Sequence, residues 1–311
     1  MTPHHPALSR AALGVLMAGV DATGPDLPGW TREALAGGLG AVCLFGVNTP
    51  DIPTARAITD VLRAAGPDVV VAVDEEGGTV SRLQLDRGSS LPSAAALGQV
   101  DDPDLTRRCG AAIGRLVALA GVDLDLAPVL DVASEPANPV IGVRSFGATP
   151  DTVRTHGEAF ARGLADAEVA SCAKHFPGHG ATTTDSHLTL PVVAGDRATV
   201  LARDVTAFSA GVDAVMTAHL RVPALGEGVA SLSSWSTALL RDAGFDGVIV
   251  TDALGMAGAS GEIGLGEACV RALEAGADLL CLDSPQNRDP EDLLRTSAAA
   301  VDAALSEGRL D

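Results

Sequence analysis

Val69-Val70-Val71-Ala72-Val73-Asp74-Glu75-Glu76-Gly77-Gly78 is five apolar residues, four of them β-branched, followed at once by three carboxylates and two glycines. β-Branched side chains favour extended backbone. A strand that is apolar at every position, rather than at every second one, belongs to a parallel sheet covered on both faces. The carboxylates then mark the strand's C-terminal end. The same grammar recurs at Leu13–Ala18, Ala41–Phe45, Val122–Leu130, Val169–Lys174, Ala214–Thr217, Gly247–Thr251 and Asp278–Leu282, which makes eight predicted strands. Ala-rich, charge-bearing segments alternate with them at Asp51–Ala65, Leu105–Ala120, Pro150–Ala167, Asp196–Ala210, Ser236–Ala243 and Gly264–Ala275. Strand and helix taking turns in this way predict an α/β fold, a (β/α)8 TIM-type barrel. No Ser- or Pro-rich linker divides the chain, so a single barrel domain is expected over residues 1–311. A doubly wound open sheet is the alternative, but the first strand-to-helix turn lacks the glycine-rich dinucleotide fingerprint.

Forty acidic residues against 21 basic ones give a formal net charge of −19. With no basic run to release counterions, nucleic acid is excluded as a partner. Charged residues, Gly or Pro interrupt every apolar stretch before the roughly 18 residues a membrane helix needs, so no membrane association is expected. Leu8–Val20 has an apolar core, but its nearly uncharged flank does not read as a signal peptide. Five cysteines, an odd number without CxxC spacing, read as reduced core residues of a cytoplasmic protein, with a monomer expected. Among the basic residues Lys174 is the only lysine.

In a barrel the loops at the C-terminal ends of the strands carry the chemistry. The residues directly after the predicted strands are Asp74-Glu75-Glu76, Asp131, Lys174-His175, His219 and Asp252. The longest irregular segments, Gly77–Gly98 and Gly178–Val193, also begin where strands end. Four of the seven histidines, His175, His179, His187 and His219, fall in one stretch spanning two strand ends. A lone His beside a strand is more often a hydrogen-bonded core residue than a catalyst, but clustering with the only Lys argues for a site.

Lys174-His175-Phe176-Pro177-Gly178-His179-Gly180, followed by Asp185-Ser186-His187, resembles the hallmark of the glycoside hydrolase family 3 β-N-acetylglucosaminidases. Further matching blocks follow the same order: Asp74–Gly78 with Arg82, Arg144-Ser145-Phe146-Gly147, Met216-Thr217-Ala218-His219, and Thr251-Asp252-Ala253-Leu254 with Met256. The resemblance covers nearly the whole chain. It implies a retaining exo-β-N-acetylglucosaminidase acting on terminal non-reducing N-acetylglucosamine, with cell-wall (peptidoglycan) fragments as substrates and no metal or other cofactor. It also implies that Asp252 is the nucleophile, that His187 is the acid/base held by Asp185, and that Asp74, Arg82, Arg144, Lys174 and His175 hold the sugar. His179 and His219 are expected beside the pocket without an assigned role.

The residues make chemical sense beside the resemblance. A retaining glycosidase needs a carboxylate against the anomeric carbon and an acid/base at the leaving oxygen. Asp252 follows an apolar strand, a rigid mounting for a nucleophile. Its bland alternative is a helix cap. Asp185 and His187, two apart on an extended loop, project to one side, so the carboxylate can orient the imidazole. The alternative is a polar surface turn. The Thr- and Gly-rich loop is expected to bring His187 into place on substrate binding. For Arg82 and Arg144 the alternative is an ordinary ion pair, and for Asp74 a cap before Gly77-Gly78. Six Phe and two Trp are too few for long aromatic platforms, which favours a pocket for one terminal sugar.

Two positions depart from the family pattern: Ala181 stands where Asp is common and Thr79 where Arg is common. The additional domains of many members are not expected after the eighth strand. Three other functions stay open. A phosphorylase would use inorganic phosphate in place of water, since a neutral His repels an anionic acceptor less than a carboxylate does. A metal-dependent barrel hydrolase is disfavoured by the absence of a His-x-His pair. A catalytically inactive sugar-binding protein is the non-enzyme alternative.

Overall fold

The computed structural model of the protein describes residues 8–184, 190–209 and 211–311. Eight strands run in parallel: β1 (Leu16–Gly19), β2 (Ala41–Leu44), β3 (Val70–Val73), β4 (Leu124–Asp125), β5 (Ala170–Phe176), β6 (Ala214–Thr217), β7 (Val248–Thr251) and β8 (Leu280–Cys281). Their order is β8-β1-β2-β3-β4-β5-β6-β7, and a parallel bridge from Val250 to Leu279 closes the ring. This is the expected (β/α)8 barrel.

Side chains explain why the strands carry apolar residues throughout. Met17, Ala41, Cys43, Ala72, Leu124, Cys172, Ala214, Met216, Val250 and Cys281 pack together inside the ring. Register sets them side by side: Met17 lies beside Cys281 and Ala41, Cys43 beside Ala72, Cys172 beside Ala214, and Met216 beside Val250. The alternate residues Val42, Leu44, Val71, Val73, Ala173, Val215, Ile249 and Leu280 face outward into the layer shared with the helices. Apart from the exposed first residues of β3 and β7, Val70 and Val248, both faces of the strands are therefore buried. The interior is filled with small or pliant side chains, as a narrow ring requires. All five cysteines are free and buried.

Several helices announce themselves by a cap followed by proline. Asp51, Asp102, Thr149 and Asp289 each accept a backbone N–H of the first turn, and each is followed by Pro at one of the first two helical positions. Oxygen caps satisfy orphan donors, and proline at the start loses no hydrogen bond.

The structure corrects the sequence reading at three places. The predicted strand Leu13–Ala18 begins as helix: Arg10–Gly14 coils first, capped by Ser9, and β1 starts at Leu16. The predicted strand Val122–Leu130 is regular strand only at Leu124–Asp125, with an isolated bridge from Val129 to Lys174. Pro128 lacks the N–H that a continuous ladder needs. The predicted helix from Asp196 ends as an α-helix at Arg203. The long segment after β3 contains a hairpin, Glu75–Gly77 with Val80–Ser81, and a helix, Ala94–Val100. Gly77 and Gly78 turn the hairpin at φ 82° and 58°, where a side chain is strained. Among the described residues no helix is long and apolar enough to cross a membrane.

Candidate active site

A cavity of about 530 Å³ opens at the C-terminal ends of the strands. Asp74, Arg82, Arg144, Lys174, His175 and Asp252 all line it, as do Glu76, His179 and Asp283. Asp185 and His187 lie outside the described residues.

The floor is built around Lys174, whose side chain is almost fully buried. Its Nζ lies 2.6 Å from Asp74 Oδ1 and 2.7 Å from Glu76 Oε1. Burial alone would lower the lysine pKa, but these two carboxylates raise it above the ordinary value. Lys174 is a fixed ammonium. Glu76 is shared with Arg144, which donates from Nε to Oε2 (2.9 Å) and from a terminal nitrogen to Oε1 (2.8 Å), a fork-on-fork pair. Burial pushes the Glu76 pKa up, and Lys174 and Arg144 more than reverse this, bringing it to about 2.

Consecutive carboxylates are split between tasks by strand alternation. Glu75 turns away into the hairpin, where Ser81 Oγ donates to it at 2.6 Å and the backbone N–H groups of Arg82 and Leu83 donate at 2.7 and 2.9 Å. Burial raises its pKa. This clamp sets the course of the backbone at Arg82. The Arg82 guanidinium is only loosely paired, 4.0 Å from Asp74, and its buried Nε has no partner among the described residues.

His175 is oriented from behind. Asp131 is fully buried after β4 and accepts from His175 Nδ1 at 2.7 Å, so the proton sits on that nitrogen and Nε2 is turned toward Arg144, 3.5 Å away. Burial would raise the Asp131 pKa, but His175 and the N–H of His179 (2.6 Å) hold it below the usual carboxylate range. Asp131 thus fixes the whole turn from His175 to His179. Asn138 Nδ2 donates to the His179 carbonyl at 2.9 Å, and the Thr182 hydroxyl meets His179 Nδ1 at 2.8 Å. Gly180 packs so tightly on the Val132 carbonyl that no Cβ fits.

Asp252 follows β7. Its Oδ1 accepts the N–H of Ala253 at 2.8 Å, and no helix starts there, so the plain capping role does not apply. Burial would raise its pKa, yet the His219 and His175 rings, that N–H and Lys174 hold it below the usual range. Asp252 is a carboxylate at neutral pH and well into acid.

His219 differs from the expectation that it sits beside the pocket. It is fully buried and does not line the cavity. Its Nε2 donates to the Ala253 carbonyl at 2.9 Å, so Nδ1 accepts from Ser231 Oγ at 2.7 Å. Burial lowers its pKa and keeps it neutral. A His with both nitrogens spent holds the segment after Asp252 in place.

Glu76 and Asp131 stood out in the sequence only as strand-end residues without a role, and Asp283 did not stand out; Glu76 and Asp283 line the cavity, and Asp131 supports His175 from behind it. Glu76 was visible as the alternation partner of Glu75. Asp283 directly follows the last predicted strand, the same signal that picked out Asp252. Among the described residues no group of three or more His, Cys, Asp or Glu is arranged to hold a metal ion.

Fold and cavity together define a TIM-type barrel with a charge-balanced polar pocket at the strands' C-terminal ends, the class to which many enzymes of polar small substrates belong. The chain belongs to glycosyl hydrolase family 3: residues 31–311 match the model of the family's N terminal domain. It is 41% identical over 238 residues to the beta-hexosaminidase LpqI of Mycobacterium tuberculosis, a match covering 72% of this chain and 61% of that protein. To a beta-hexosaminidase of Chromobacterium violaceum it is 38% identical over 265 residues, covering 81% of this chain and 74% of that one. Among solved structures, a glycoside hydrolase family 3 beta-N-acetylglucosaminidase from Paenibacillus sp. superposes with a TM-score of 0.91 at 33% identity, covering 99% of this chain and 60% of that chain. NagZ from Neisseria gonorrhoeae, in complex with N-trifluoroacetyl-D-glucosamine, superposes with a TM-score of 0.81 at 32% identity, covering 95% and 90%.

Proposed function

We propose that the protein is a retaining exo-β-N-acetylglucosaminidase that removes terminal non-reducing β-linked N-acetylglucosamine from small carbohydrates, peptidoglycan fragments among them. The observation that carries the reading is a single cavity in which an ionised Asp252 shares the walls with a fixed ammonium, two guanidinium groups and an oriented imidazole. Such an array suits a neutral polyol, whose hydroxyls both donate and accept, and rejects ligands that leave it unpaired. Among the described residues Phe45 is the one aromatic ring of the lining apart from the histidines, which supports a pocket for one sugar rather than a platform for a chain. The relatives named as beta-hexosaminidases support the same substrate class.

In this reading Asp252 attacks the anomeric carbon as the bond to the aglycone breaks, and a glycosyl-Asp ester forms. His187 gives its proton to the departing oxygen, then takes one from the water that opens the ester. Asp185 stabilises the imidazolium that donates in the first step and forms again in the second; between them the ring is neutral. Asp74, Arg82, Arg144, Lys174 and His175 hold the sugar. The barrel acts as one catalytic domain. Five free, buried thiols favour a reducing compartment, so we infer a cytoplasmic site of action.

An activated 2-fluoro glycoside of the sugar, which forms the ester and hydrolyses it slowly, tests the scheme. Peptide mapping should find the label on Asp252, and a label elsewhere refutes the assignment. Running turnover with and without inorganic phosphate distinguishes water from phosphate as the acceptor, because only the latter yields a sugar 1-phosphate.

A further inference from the structure

The wall of the cavity after β8 is supplied by Asp283 and the residues that follow it. Asp283 is only 6% exposed. Two of the other carboxylates of the cavity pair with cations, Asp74 and Glu76 with Lys174 and Glu76 also with Arg144. Asp283 has no ion pair among the described residues. Its hydrogen bonds fall on one oxygen alone: Oδ1 accepts the Ser284 N–H at 2.7 Å and Asn287 Nδ2 at 3.0 Å. No hydrogen bond to Oδ2 exists among the described residues. Oδ2 is thus left to accept from a donor that enters the cavity.

Its position says what donates. Asp283 comes two residues after β8 and lines the same cavity as Asp74, Lys174 and Asp252. The segment after Asp252 is strapped to β8, with the Leu254 and Gly255 N–H groups donating to the Cys281 and Leu282 carbonyls at 2.9 Å each. Oδ2 lies so close to the Gly255 backbone that a Cβ there would overlap it. The free oxygen therefore sits beside the loop of the nucleophile, not out on the rim, where Gln286 and Asn287 are exposed.

We propose that Asp283 is a specificity-determining residue that accepts a hydrogen bond from a ring hydroxyl of the terminal sugar. An ionised carboxylate accepts and never donates. The face of the sugar it meets must carry a neutral donor, and an anionic substituent on that face is repelled. The proposal rests on the glycosidase reading above.

Asp283→Asn tests it. The amide oxygen can keep the two loop hydrogen bonds, which turns an NH2 toward the cavity in place of an acceptor. Wild-type turnover of 4-nitrophenyl N-acetyl-β-glucosaminide checks the underlying reading by itself. Binding of free N-acetylglucosamine by calorimetry, which needs no turnover, then reads Asp283 separately. We expect affinity and kcat/KM to fall about 10- to 100-fold in the variant, the range a hydrogen bond to a charged group supports. Across 3-, 4- and 6-deoxy analogues, the one lacking the contacted hydroxyl should be bound equally by variant and wild type, a non-additivity that a merely structural role does not produce. Asp283→Ser serves in the same cycle if the amide disturbs folding. Unchanged binding, or losses that multiply for every deoxy analogue, would overturn the proposal.

Discussion

Glu76→Gln should destabilise the protein by about 3 kcal/mol at neutral pH, and that loss should fade in acid. Glu76 is the hinge of the site's electrostatics: its carboxylate, 6% exposed, answers both Arg144 and Lys174. In the folded protein its pKa lies at about 2 against an ordinary 4.5. At about 1.4 kcal/mol per pH unit, this difference is worth about 3 kcal/mol of folding stability. The sign follows from which state holds the proton. A depressed carboxylate pKa stabilises fully above the unfolded value and loses that contribution as pH falls through the folded one. Gln has the shape of the protonated acid, so the variant lacks the contribution at every pH. Urea unfolding followed by tryptophan fluorescence, from neutral pH down into the acid range, measures both proteins side by side. The gap should hold at about 3 kcal/mol down to about pH 5 and narrow steadily below pH 4.5. A gap below about 1 kcal/mol at neutral pH, or one that keeps its size in acid, would refute the argument.

Lys174→Arg should lower both the melting temperature and kcat/KM, because a planar guanidinium does not fit the space between Asp74 and Glu76, and overpacking costs about 1–3 kcal/mol; thermal denaturation with steady-state kinetics checks it. Asp131→Asn replaces the acceptor that fixes the His175 proton on Nδ1, so kcat/KM should fall at least about 10-fold and its pH profile should shift; an unchanged profile would count against the orienting role. Gly180→Ala places a methyl against the Val132 carbonyl and should destabilise by about 1–3 kcal/mol, read by chemical denaturation.

How far the sequence carried can be judged strand by strand. Every predicted strand overlaps a barrel strand, because burial on both faces leaves an uninterrupted apolar run that survives in one dimension. Boundaries were lost where a second force competes. Ser9 starts a helix inside an apolar run, and Pro128 interrupts a ladder whose flanks look like strand. The hairpin after β3 was invisible because a clamp formed by one carboxylate, Glu75, holds it together, not hydrophobic alternation. In the site, Asp74, Arg82, Arg144, Lys174, His175 and Asp252 were legible and share one cavity. Glu76 and Asp131 act through other side chains, and no spacing in a sequence records which partner a carboxylate will face across the barrel. Asp283 was legible in principle and was passed over. His219 shows the reverse error: a strand-end histidine inside a family motif whose nitrogens are both spent on the scaffold.

The cysteines packed inside the ring and among the helices have a consequence for kinetics. Burial raises the thiol pKa at Cys43, Cys269 and Cys281 and pushes that of Cys172 up to about 12, which starves each of the thiolate that reagents attack. Cys172 packs inside the closed ring and does not line the cavity, whereas Cys43 and Cys281 reach the cavity wall, so of these three only Cys172 needs the barrel to part before a reagent meets it. Modification of Cys172 by a thiol reagent in excess should therefore advance at the rate at which the native barrel opens. The chain carries a built-in clock for its own unfolding.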